Sequence, residues 1–95
     1  MGHGMNSILQ TEKECYYTGA VAGLHKHHVF SGPLRTASER WGCWVWLRAD
    51  WHTGPYGVHF DRQLDLALKR DAQERFEQLY GHDKFMTVFG KNYKE

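Results

Sequence analysis

The chain has 95 residues, 41% hydrophobic, 24% charged and 15% aromatic, which describes one compact domain with a radius of gyration of roughly 12 Å and too many core-forming side chains for disorder. Its longest uncharged apolar run is too short to cross a bilayer, so no membrane partner is expected. A net charge of +1 excludes a uniformly basic surface that binds nucleic acid by phosphate neutralisation alone. So small a domain is marginally stable unless reinforced, and the composition offers two means: four Trp, five Tyr and five Phe for packing, and seven His for binding metal.

Met1-Gly-His-Gly4 reads as a cloning remnant ahead of Met5, so residues 1–4, His3 included, are set aside and 5–95 is taken as a single domain. Cys15 and Cys43 stand at no motif spacing and follow no secretory leader; they read as reduced thiols in the cytoplasm. Glycines 19 and 23 mark turns, and 24–30 (Leu-His-Lys-His-His-Val-Phe) is a strand stopped by Ser31-Gly32-Pro33. Residues 36–42 form a helical turn ending on Gly42, and 43–47 (Cys-Trp-Val-Trp-Leu) a second strand, antiparallel to the first. Residues 48–59 hold Gly54-Pro55 and Gly57, which interrupt any long element and leave a structured loop or broken helix.

Asp61 then caps a helix over 61–80, with Leu64, Leu68, Ala72, Phe76 and Leu79 along one stripe and Gly81 closing it. That stripe is core or a homodimer seam. Five acids against four bases make the helix structural rather than DNA-reading. A short helix over 83–89 ends at Gly90, and Lys91-Asn92-Tyr93 is a tail contact or a C-terminal packing piece. The fold class is α+β.

Positive charge gathers elsewhere: between residues 24 and 48, Lys26, Arg35, Arg40 and Arg48 face only Glu39. Arg35, Arg40 and Arg48 are therefore the candidate phosphate contacts. The same region holds His27 and His28, neighbours on a strand whose side chains point to opposite faces unless the backbone bends. His52 and His59 flank the Gly-Pro-Tyr-Gly segment and come within reach of the first strand if the two strands pair. Neutral imidazoles can hold one divalent ion, and a further imidazole left free of metal can take a proton from water, a combination suited to phosphodiester hydrolysis. His25 shares a strand face with His27 and is placed to orient a ligand; His82 is expected in solvent.

Several pieces together resemble the small phage-encoded HNH-type proteins of the ββα-metal superfamily, and among them the phage recombination-enhancement nucleases. These are Leu24-His-Lys-His-His-Val-Phe30, Gly32, Arg35, Ser38-Glu39, Trp44-Val-Trp-Leu47, His52, Gly57-Val-His59 and Phe89-Gly-Lys-Asn-Tyr93. The resemblance covers about residues 15–93. It implies a ββα-metal core, a two-stranded antiparallel hairpin plus helix with extra C-terminal helices. It also implies His27, His52 and His59 as ligands of one divalent ion (Mg, Mn, Ni or Zn) and His28 as general base. DNA would be the substrate, a host recombinase a partner, and a phage-infected or prophage-bearing bacterial cytoplasm the setting.

The chain departs from that pattern where members with a structural zinc carry two Cys-x-x-Cys pairs. It has Cys15-Tyr-Tyr-Thr18 and Arg48-Ala-Asp-Trp51, so that zinc is expected to be absent, with Trp41, Trp44, Trp46 and Trp51 packing in its place. The HNH signature's central Asn has no counterpart before His52. Three functions remain open: a metal-dependent DNA nuclease, a catalytically inactive HNH-like module that binds nucleic acid or protein, and a structural zinc protein.

Overall fold

The computed structural model describes residues 6–94; residues 1–4, with His3, lie outside them. Two strands, β1 (Leu24–His28) and β2 (Trp44–Arg48), pair antiparallel with Leu24 opposite Arg48 and His28 opposite Trp44. Helix α1 (Arg35–Trp41) lies between them in the chain, α2 (Ala49–Thr53) follows β2 directly, and α3 (Arg62–Tyr80) and α4 (His82–Phe89) complete the described chain. This is a small α+β fold, as expected. Among the described residues no helix is long and apolar enough to cross a membrane.

Strand alternation gives the hairpin two unlike faces. His25 and His27 share one face with Val45 and Leu47, both fully buried in the core. Lys26 and His28 share the other with Trp44 and Trp46. The first strand is shorter than the seven residues expected, because the Ser38 hydroxyl accepts from the Phe30 amide (3.0 Å) and donates to the Phe30 carbonyl (2.7 Å). That pair of bonds takes the chain out of the ladder and pins α1 against the end of β1. The second strand is displaced by one residue, starting at Trp44 and including Arg48.

Segment 6–16, for which composition predicted nothing, runs along the open edge of β2. Gln10 Oε1 accepts from the Trp46 amide at 2.6 Å, the Tyr16 amide donates to the Trp46 carbonyl, and Ser7 Oγ donates to the Trp44 carbonyl. An exposed edge is a site for unwanted strand pairing, and these bonds occupy it.

Asp61 caps α3 as expected, its Oδ1 accepting from the Leu64 amide at 3.0 Å. Leu68, Ala72 and Phe76 are buried within this one chain, so the stripe is core and not a seam between copies. Leu79 is the exception at 45% exposure; Gln73 takes the inward position instead. Its side chain donates to Asn92 Oδ1 (2.7 Å) and accepts from the Tyr93 amide (2.7 Å). Residues 92–93 are thereby a packing piece, with the Tyr93 ring 5.3 Å from Phe30. Phe30, Phe76, Phe85 and Phe89 form the aromatic centre of the core. The tryptophans pack as expected: Trp41 on Phe76 and Tyr80, Trp44 on Trp46, and Trp51 stacked on Tyr17 at 5.2 Å. Cys15 and Cys43 are free and buried, and His82, half exposed, hydrogen-bonds Glu77.

Candidate metal centre

Three elements bring His27, His52 and His59 together. β1 delivers His27 on the core side of the hairpin, 4% exposed. α2 begins where β2 ends and carries His52 back over the same face. His59 lies seven residues beyond, about 10.5 Å along a regular helix and too far for the two rings to meet, and a loop that doubles back along α2 supplies it. The Gly54 amide donates to the Asp50 carbonyl, Val58 to Trp51 at 2.7 Å, and His59 to His52 at 3.4 Å. The return is this close because residue 57 has no side chain: a Cβ there would sit 2.8 Å from the carbonyl oxygens of both Asp50 and Trp51.

The rings converge. His52 Nε2 lies 2.9 Å from His59 Nε2, and the His27 ring centroid is 5.2 Å from each of the other two. One ring nitrogen from each of the three falls within 4.8 Å of the others, close enough to hold a metal ion. A tetrahedral ion with bonds of about 2.05 Å spaces its ligands by about 3.3 Å, so small ring rotations close the set. His27 Nε2 supplies the fit test: it is buried and has no hydrogen-bond partner. Such a nitrogen costs about 1–3 kcal/mol when unpaired, which coordination would offset.

Electrostatics favours the ligand form. Burial, followed by the neighbouring His52 and His59 imidazoles, pushes the His27 pKa down to about 3. Burial and His59 bring His52 to about 4. Both rings are neutral at pH 7 and present lone pairs. His25 has its Nδ1 3.0 Å from His52 Nδ1, so the nitrogen that His52 turns toward His59 is Nε2.

His28 stands outside the ligand group. Alternation sends its ring to the other hairpin face, yet it lines the same cleft of about 230 Å³ as Lys26, His27, Ser31, Arg35, His52 and His59. Its Nε2 lies 2.7 Å from Glu39 Oε1, and Lys26 Nζ donates to both Glu39 oxygens at 3.0 and 3.1 Å. Of the three arginines expected at phosphate, only Arg35 lines the cleft. Arg40 is exposed elsewhere on α1, and Arg48 forms a two-bond pair with Asp50 at 2.6 and 2.9 Å because the two residues straddle the β2–α2 junction. Those bonds hold the Asp50 carboxyl below its ordinary range.

Glu39 is the functional candidate that residue-by-residue reading did not assign. One signal was available: it is the sole carboxylate between residues 24 and 48, facing four bases and three histidines. Set against protein-family models, curated proteins and solved structures, the chain matches none of them.

Proposed function

We propose that this protein is a divalent-metal-dependent DNA nuclease of the HNH, ββα-metal type. The observation that carries the proposal is the division of four histidines in one cleft. His27, His52 and His59 form a candidate ligand set around a buried, unpartnered nitrogen, while His28, next in the chain to His27, remains outside it. An all-imidazole set suits zinc or nickel better than magnesium, which prefers oxygen ligands.

Phosphodiester hydrolysis joins a water oxygen to phosphorus, breaks one P–O ester bond and leaves the departing oxygen to take up a proton from solvent. His28 accepts the proton lost by the attacking water. Arg35, exposed at the cleft, holds a phosphate oxygen. A cation held by the three histidines supplies charge compensation at the phosphate.

Plasmid nicking with Mg²⁺, Mn²⁺, Ni²⁺ or Zn²⁺, against an EDTA control, tests the proposal. Wild-type protein is expected to nick with at least one ion. His28→Ala should keep its metal and lose about 10²–10⁴ of the rate, and His27→Ala should lose both metal and cleavage. A wild type that nicks with none of the four ions overturns the nuclease in favour of the second reading, an inactive HNH-like binding module. That reading draws on the Arg48 guanidinium being occupied by Asp50.

A further inference from the structure

Strand β1 separates two chemistries by alternation. His25 and His27 run to the imidazole set, whereas Lys26 and His28 both end on one carboxylate, Glu39 of α1. That carboxylate is rigidly placed: Ser38, the preceding residue, is buried and holds α1 to Phe30 through two hydrogen bonds. The His28 side chain is only 13% exposed, so its ring has little freedom to leave this partner.

The donor set decides where the hydrogen between them lies. The His28 hydrogen bond and the Lys26 ammonium hold the Glu39 carboxyl below the usual range, so at neutral pH it has no proton to donate. A carboxylate only accepts. The hydrogen in the 2.7 Å contact therefore belongs to His28 Nε2, and in the neutral ring the single lone pair is on Nδ1.

We propose that Glu39 is the positioning residue of the general base, holding His28 as the Nε2–H tautomer so that Nδ1 is the nitrogen that accepts the water proton. This builds on the nuclease proposal for the role of His28, but the tautomer itself can be read without any cleavage. Lys26 completes the unit by engaging both carboxylate oxygens, which fixes the plane of the acceptor that the ring meets.

The experiment is a long-range proton–nitrogen spectrum of the full ¹⁵N-labelled chain, with and without zinc, at about pH 8.5, roughly two units above the ordinary imidazole pKa. His28 is assigned by difference against His28→Gln. Wild-type protein should show a protonated, pyrrole-type Nε2 and a pyridine-type Nδ1. Glu39→Ala should move both signals toward the average of the two tautomers, and Glu39→Gln, which keeps an accepting oxygen, should largely restore them. Outer partners that orient a functional ring are worth about 10- to 100-fold; Glu39→Ala should lose that much nicking rate in kcat while zinc affinity stays within about twofold.

A protonated Nδ1 in the wild type overturns the assignment, and so do signals that Glu39→Ala leaves unmoved. The wild-type spectrum needs no variant to fold. A wild type with the expected tautomer that nicks no DNA overturns the nuclease proposal and supports the Glu39 contact on its own.

Discussion

At the scale of single residues the unpaired His27 Nε2 dominates, because coordination would remove a buried cost and tie three elements together. Titration calorimetry with zinc or nickel should give a stoichiometry near one per chain. His52→Ala should abolish that binding, and His25→Ala should weaken it by about 10- to 100-fold, as the loss of an orienting partner does. Unchanged affinity in His52→Ala would remove the three-histidine set. The same burial carries a pH consequence. The unfolded chain protonates these rings as pH falls through about 6.5, whereas folded His27 resists down to about 3 and His52 to about 4. Below pH 6.5 the unfolded state therefore binds more protons, so stability is fully present above that value and lost progressively toward pH 3. Urea midpoints of the metal-free protein should be lower at pH 5 than at pH 7.5, and equal midpoints would contradict the burial argument.

Among the elements, the short α2 and its return loop do most to make a site. Histidines with six residues between them are far apart on any regular helix or strand; the doubled-back loop sets residue 59 against residue 52. Gly57→Ala should force the loop away from the Asp50 and Trp51 carbonyls. Overpacking of this kind costs about 1–3 kcal/mol, which corresponds to roughly 5- to 150-fold in zinc affinity. Circular dichroism should remain that of wild type, since the contact is confined to one loop. Wild-type affinity in Gly57→Ala would mean that the loop does not set the position of His59. The β2–α2 junction shows the same local logic: Arg48 and Asp50 satisfy each other, and the arginine is drawn away from the phosphate role its charge implied.

Over the whole molecule, stability rests on a small aromatic core. Phe76 touches Trp41 of α1, Tyr80 of its own helix, and Phe85 and Phe89 of α4. Phe76→Ala should cost about 3–5 kcal/mol, a large share of the roughly 5–15 kcal/mol available to a domain. A fall in the urea midpoint with an unchanged slope would report it; a midpoint close to wild type would place the core elsewhere. Residues 48–51 meet segment 15–18 through the Tyr17–Trp51 stack, so aromatic packing joins these two stretches.

What could be read from the sequence follows how far each signal reaches along the chain. The Asp61 cap, the Leu64-to-Phe76 stripe and the glycines at 42, 81 and 90 act within a few residues, and they marked the helices to within a residue or two. The first strand was legible from the turn residues on either side of it and the second from its aromatic and β-branched composition, and the neighbours His27 and His28 declared a pair that strand alternation sends to opposite faces. Which contacts those side chains make was decided by tertiary structure. The hydroxyl of Ser38 ended β1 at His28 and aimed Glu39 at its ring, and no local pattern encodes bonds between residues eight and eleven positions apart. The edge-covering segment 6–16, the inward turn of Gln73 toward Asn92, and the return of His59 onto His52 likewise depend on surfaces that exist only once the hairpin has folded. Residue types and their periodicity determined the elements and the candidate ligands. Chain reversal and burial then decided which three imidazoles share a site and which one stands beside it with a carboxylate.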